Sequence, residues 1–290
     1  MKANIVSFSG GRTSAYMVHL IERMRKEGTI DNVHYVFMDT GAEHPKTYEF
    51  VKKCAEHFKI ELTCLRAVMT PAFEGTGIRY KQIGINDCKF DLEPWVDLLT
   101  CYHAPKITMP NCTTSMKTNP YDAWVKDNFG HPSNTTTWLG IRIDESRRLR
   151  PKKNIRYLAE ISQMDKEEII GWWADMPFDL EMDTNHLGNC VFCVKKATNK
   201  LALAARDEPE LYKQFTTMLN ETNIRMTKGQ IERNDNPRGM YRDYMTLEQV
   251  VEAYADVDRA RMISRQKRSE NTCSESCEVF GCQVDLFDEP

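Results

Sequence analysis

The chain has 290 residues, 41% hydrophobic and 28% charged, which is long enough for one large domain or two modest ones and ordinary for a soluble globular protein. A net charge of −3 argues against polyanion binding through bulk charge and leaves that role to local basic clusters. No apolar run approaches the roughly 18 residues of a membrane span, and the N-terminus lacks the order of a signal peptide, so a cytoplasmic protein with no membrane partner is the expectation.

In chain order, Ile5–Phe8 reads as a short buried strand that runs into a Ser9-Gly10-Gly11 turn. Thr13–Lys26 follows as an amphipathic helix, with Tyr16, Met17, Leu20, Ile21 and Met24 as its apolar residues. Residues 32–41 form the next strand, ended by Asp39-Thr40-Gly41; Lys46–Phe58 is a second helix and Ile60–Ala67 a third strand. Strand and helix in alternation imply an α/β fold with a parallel sheet and helices on both faces. Thr135–Ile143 and Asn154–Ile161 are two later strands, and Asp165 with Glu168 forms a capping box that opens a helix through Trp173. From Leu201 onward the pattern is helical, over Leu201–Ala205, Pro209–Asn223 and Leu247–Ile263. The expected division is an α/β domain over 1–177 and a helical, Cys-bearing region over 178–290, with no internal repeat.

The strand–glycine turn–helix order has a chemical meaning. Such a turn exposes backbone N–H groups at a helix N-terminus, where the dipole adds partial positive charge. Ser9, Thr13 and Ser14 add hydroxyl donors, and Arg12 adds a cation suited to phosphate. Neither Gly-x4-Gly-Lys-[Ser/Thr] nor Gly-x-Gly-x-x-Gly is present, so this is not a kinase-type or dinucleotide loop.

Ten cysteines are too few for a disulfide scaffold of this length. Cys54, Cys64, Cys88 and Cys101 stand alone and read as small buried side chains. Cys190-x-x-Cys193 and Cys273-x3-Cys277-x4-Cys282 are clustered. The Cys-x-x-Cys spacing suits zinc or an iron–sulfur cluster, and periodicity does not choose between them. Arg147, Arg148, Arg150, Lys152, Lys153 and Arg156 crowd one loop, as an anionic nucleotide, a nucleic-acid backbone or a solvated loop would allow. The basic run at 259–268 reads as a solvated helix face. Trp172 and Trp173 read as core, and His44, His103 and His186 are assigned no role.

Ser9-Gly10-Gly11-Arg12-Thr13-Ser14 resembles the pyrophosphate loop, SGGxDS, of the ATP pyrophosphatase superfamily. Within it the chain resembles the 3′-phosphoadenylylsulfate (PAPS) reductase family. Asp39, Thr40, Gly41, Pro45 and Thr47 are similar to its DTG…P.T segment. Gly140, Arg142, Glu145, Ser146 and Arg147 or Arg150 are similar to its G-x-R-x-x-E-S-x-x-R segment, and Cys112, Met116, Lys117 and Pro120 to a Cys-x3-[Leu/Met]-Lys-x-x-Pro segment of bacterial and phage relatives. Thr13 stands where ATP-cleaving relatives carry Asp, and the Glu-Cys-Gly-[Leu/Ile]-His ending of thioredoxin-linked reductases is absent.

The resemblance implies an adenine nucleotide alpha hydrolase-like fold and an enzyme of sulfur metabolism. It implies that Ser9, Gly10, Gly11, Arg12, Thr13, Ser14, Asp39, Thr40, Gly41, Gly140 and Glu145 hold an adenine nucleotide, ATP or PAPS, with Mg²⁺ as an optional companion. Arg142, Arg147 and Lys117 would serve its reacting anionic end. It also favours a [4Fe-4S] cluster on Cys112, Cys190 and Cys193, where adenylylsulfate-reducing relatives carry Cys-Cys, a gap of about eighty residues and Cys-x-x-Cys. Asn111 replaces the first of those cysteines. The fourth ligand would come from Cys277 or Cys282, or the iron would stay open to sulfide or substrate sulfur; alternatively the tail cysteines, Cys282 among them, would form a redox pair that reaches the nucleotide. The implied electron donor is a thiol or a thioredoxin-like protein. Two other readings remain: an ATP-dependent adenylating sulfurtransferase that engages nucleic acid through residues 147–156, and a non-catalytic nucleotide-binding regulator.

Overall fold

The computed structural model describes residues 2–70 and 77–266. Six strands form one sheet: β1 (Ala3–Ser7), β2 (Val33–Asp39), β3 (Leu62–Val68), β4 (Arg79–Ile83), β5 (Thr135–Leu139) and β6 (Ile155–Tyr157), in the order β4-β3-β2-β1-β5-β6. All neighbours are parallel except β3 and β4, so the expected α/β sheet is present with one antiparallel edge strand that the sequence reading missed. Its pattern, Arg-Tyr-Lys-Gln-Ile, is polar and exposed, which hides an edge strand from a search for apolar runs.

Helices cover both faces, as the alternation of β1 requires. Val6 and Phe8 face α1 (Arg12–Lys26), α2 (Pro45–Phe58) and a helix at Lys166–Ala174, in one core with Met17, Ile21, Phe50, Val51, Ile169 and Trp173. Ile5, Val36, Met38 and Leu65 face the opposite side and pack on Tyr121, Trp124 and Val125 of Asn119–Phe129. Each of these large, fully buried side chains contributes roughly 1.5–3 kcal/mol relative to exposure. The capping box at Asp165 and Glu168 forms as expected.

The sheet reverses its winding between β1 and β5, so their carboxyl ends flank a topological switch point, where open α/β sheets place ligands. A third core lies beyond the carboxyl ends. It joins Ala42, Met69, Trp95 and Met116 to Val191, Phe192, Leu201, Phe215 and Val250, with the Trp95 and Phe215 rings 5.2 Å apart. The expected boundary at 177 therefore falls within continuous packing. The helices at Thr198–Asp207 and Pro209–Glu221 match expectation, whereas the span 247–263 is two helices, Leu247–Glu252 and Arg259–Gln266. Among the described residues no helix is long and apolar enough to cross a membrane.

Candidate functional site

The glycine turn sits between β1 and α1 at the switch point. Gly10 has φ +83°, a left-handed conformation that favours glycine, and a Cβ there would stand 2.7 Å from the Thr47 side chain. Gly11 is the N-cap of α1, and no side chain among the described residues caps that terminus. Ser14 closes the turn from inside: its Oγ donates to the Gly11 carbonyl at 3.0 Å and accepts from the Ser9 amide at 3.2 Å and the Ser9 hydroxyl at 3.0 Å.

The strand β5 brings the second segment to the same place. A Cβ on Gly140 would lie 3.0 Å from Ser14 Cα, so only glycine lets the β5 end approach the loop this closely. Two residues on, buried Arg142 donates to Thr13 Oγ1 at 3.1 Å and grips Asp144 with Nε and a terminal nitrogen at 2.9 and 3.0 Å. The Arg142 amide donates to Glu145 Oε2, and Glu145 also pairs with Arg148. Arg147 is exposed on the loop beyond.

Arg12, expected to contact phosphate, is engaged within the protein in this conformation. Its guanidinium forms a fork on Asp179, at 2.7 and 2.8 Å, and a further bond to the Leu180 carbonyl at 2.5 Å. In this conformation it fastens the glycine loop to the 179–182 segment. The cleft so formed is lined by Ser9–Thr13, Thr47, Leu180, Met182, Gly188 and Asn189. It thus runs from the glycine loop to the residue that precedes Cys190.

The DTG segment lies below the surface. Asp39 is fully buried and accepts from the Gly41 amide at 2.8 Å, Tyr48 Oη at 2.9 Å and Arg66 Nε at 3.0 Å. Burial raises its pKa to about 6, Glu43 adds to the rise and Arg66 opposes it. Gly41, at φ +68°, takes the bend beside Asp91, Leu92 and Pro94. Thr40 Oγ1 donates to Glu43 Oε2 at 2.8 Å and lies 3.3 Å from Cys190 Sγ.

Three cysteines from distant segments share the third core: Cys112, Cys190 and Cys193. Cys112 lies in a single helical turn, Asn111–Thr113, which continues through a π turn, Thr114–Thr118, into the helix at Asn119–Phe129, an irregularity common at functional sites. That turn buries Lys117, whose Nζ lies 3.8 Å from Glu43 Oε1. The Cys190 loop is pinned across the chain by a backbone bridge from Cys190 to Glu43 and a bond from the Val191 amide to the Ala42 carbonyl at 2.9 Å. Burial, with Glu43 next, holds the Cys190 thiol well above the ordinary thiol pKa. Lys196 donates to the His186 and Val191 carbonyls at 2.6 and 2.8 Å. Burial lowers its pKa to about 8 while Cys193 and Cys190 oppose that shift.

Three soft sulfurs are the donor types that a thiolate-bound cluster would need, and buried Lys117 and Lys196 interact electrostatically with Cys190. Among the described residues no three Cys, His, Asp or Glu side chains form a group that could hold a metal ion. Cys277 and Cys282 lie outside the described residues.

The structure therefore brings the SGG loop and Gly140–Glu145 together at one mouth, and places Thr40, Lys117, Cys112, Cys190 and Cys193 deeper along the same end of the sheet. Sequence reasoning missed Glu43, Arg66 and Lys196. A charged residue within the apolar strand run Leu-Thr-Cys-Leu-Arg-Ala-Val was the available signal for Arg66, since a buried Arg requires partners.

The model of the phosphoadenosine phosphosulfate reductase domain matches residues 3–164. The chain is 41% identical over 290 residues to the "Uncharacterized nin region protein ORF290" of Escherichia phage lambda, covering 98% of this chain and 97% of that one. It is 31% identical over 75 residues to a phosphoadenosine 5′-phosphosulfate reductase of Thiocapsa roseopersicina, covering 26% of this chain and 29% of that enzyme. The matched domain spans more than half the chain and contains the glycine loop, the DTG segment and the Gly140–Glu145 segment, so the chain belongs to the phosphoadenosine phosphosulfate reductase domain family.

Proposed function

We propose that the protein is a PAPS-reductase-like enzyme of sulfur metabolism. It binds an adenine nucleotide, PAPS, adenylylsulfate or ATP, at Ser9–Ser14 and holds a [4Fe-4S] cluster through Cys112, Cys190 and Cys193. The observation that carries this reading is the cleft whose walls are the glycine loop on one side and Gly188-Asn189, next to Cys190, on the other.

In this reading the open N–H groups at the start of α1 hold phosphate or sulfate oxygens. Arg142, fixed by Asp144 and Thr13, adds positive charge at the switch point, and Arg147 stands at its rim. Lys117 places an ammonium between Glu43 and the cysteine core. The cluster, when bound, supplies iron that can polarise a sulfate oxygen or take up sulfur. Reduction of PAPS to sulfite and adenosine bisphosphate consumes two electrons. A dithiol donor of the thioredoxin class supplies them and leaves as the disulfide. Cys277 and Cys282 remain the proposed sources of a fourth ligand or of a redox thiol.

The test is anaerobic purification with iron, sulfide and zinc quantified, followed by product analysis. Iron and sulfide near four per chain, with sulfite and adenosine bisphosphate from PAPS, support the reading. AMP and pyrophosphate from ATP point instead to adenylation. Stoichiometric zinc in a colourless protein that binds no nucleotide overturns it.

A further inference from the structure

Residues 147–156 contain six Arg or Lys and no acid, on a chain whose net charge is −3. The segment leaves the carboxyl end of β5 at the switch point and returns to start β6 at the opposite end of the sheet. Arg147, Arg150, Lys152, Lys153 and Arg156 are exposed. Its far end borders a second, polar groove lined by Lys2, Asn4, Asp31, Thr136, Asn154 and Arg156, among others. This groove lies at the amino ends of β1 and β5, away from the nucleotide cleft. Lys2 Nζ donates to Asn154 Oδ1 at 3.0 Å, and the Arg156 guanidinium lies 5.6 Å from the Trp138 ring centre and 3.0 Å from Glu160. The groove edge is thus built around cations already held in place, with Asp31 and Glu160 as the counter-charges that face it.

We propose that this basic strap and groove are a docking surface for the phosphate backbone of duplex DNA. Trp138 lines the groove but is only 4% exposed, with the Arg156 guanidinium over its ring, and Tyr157 is buried, so neither ring offers a free face on which a base could stack. Contact is therefore through phosphates, which a duplex presents at the highest density, one charge per roughly 1.7 Å of axis. A concave polar groove receives a ridge of phosphates better than it receives a flat bilayer. The proposal does not depend on what the nucleotide cleft binds.

Fluorescence anisotropy with a labelled duplex of ~20 base pairs, at ~50 to ~200 mM NaCl, tests it. Four or five phosphate contacts predict a log–log salt slope of about −4. Lys152→Gln/Lys153→Gln removes two contacts and should flatten the slope by about 2, and Lys152→Glu/Lys153→Glu, which adds repulsion, should weaken binding further, by at least ~10-fold. Calorimetry with PAPS or ATP and thermal unfolding should not distinguish these variants from the wild type, which separates this surface from the cleft. No binding at ~50 mM NaCl, a salt-independent signal, or wild-type binding by the Glu variant overturns the proposal. So does a preference for single strands, or for vesicles of anionic lipid over duplex DNA.

Discussion

The hydroxyl of Thr40 lies 3.3 Å from the sulfur of Cys190, across 150 positions of sequence. One residue is the middle of the Asp-Thr-Gly segment at the end of β2; the other begins the Cys-x-x-Cys pair in the helical third of the chain. Thr40 also donates to Glu43, which lies near Lys117, so one hydroxyl joins the sheet, the π turn and the cysteine loop. Thr40→Val keeps the shape and removes the bond. It should cost about 1 kcal/mol of stability and speed air bleaching of the anaerobically purified protein several-fold, with Thr40→Ser restoring both. Absorbance decay and thermal unfolding measure these effects, and a Val variant as air-stable as wild type would remove Thr40 from the surroundings of the proposed cluster.

Gly140→Ala should disturb the switch point. Its Cβ would lie 3.0 Å from Ser14 Cα and 3.2 Å from Ser14 N, and backbone yields less readily than a side-chain tip. We expect a loss of about 1–3 kcal/mol and weaker nucleotide binding by calorimetry. Gly171→Ala is the control. It sits in the helix Lys166–Ala174 with no atom within 4 Å of its Cβ position, so it should stabilise by about 0.5–1 kcal/mol.

Arg66→Met should show a distinctive pH dependence. Asp39 has a folded pKa of about 6, raised chiefly by burial, against about 3.9 in an unfolded chain. A carboxyl raised in this way stabilises the fold below its unfolded value, and that contribution is lost as pH rises through about 6. Arg66 offsets the resulting buried charge. Without it the variant should lose roughly 3–5 kcal/mol above pH 6 and recover part of that as pH falls from about 7 to 5. Urea denaturation at the two pH values gives the comparison, and an equal loss at both contradicts the assignment.

The Arg12–Asp179 fork predicts strong coupling. Arg12→Ala and Asp179→Ala should each cost about 1.5–3 kcal/mol, and the double variant should cost far less than their sum. The same cycle settles what Arg12 does for the ligand. If its role is to fasten the cleft wall, both single variants weaken nucleotide binding alike. A direct phosphate contact would instead make Arg12→Ala much the worse of the two.

The parallel strands were legible because buried strands read as continuous apolar runs, and the glycine turn was legible because few sequences place Ser-Gly-Gly between a strand and a helix. The polar edge strand β4 and the helix at Glu93–Cys101 were not, since neither carries the expected run or a recognised motif. The 247–263 span read as one helix because its period survives the Ala-Asp-Val-Asp interruption at 255–258. At the site, residue types were legible and partners were not. Nothing in the sequence shows that the Arg12 guanidinium meets Asp179, 167 positions away. Glu43 carries no local signal, because its meaning comes from Lys117 and Cys190.

The bridge between Glu43 and Cys190 also sets an order of assembly. It joins positions 147 apart, and closing a loop of that length costs on the order of 4 kcal/mol in chain entropy. The contact is therefore not formed early on its own strength. During synthesis β1, β2 and β3 emerge well before Cys190 exists, so the parallel sheet can pair while Glu43 and Lys117 remain hydrated. Cys190 and the C-terminal helices that complete the third core are made only afterwards. Any metal loading that uses Cys112 together with Cys190 is consequently a late step, which follows completion of the sheet and coincides with the docking of the C-terminal helices.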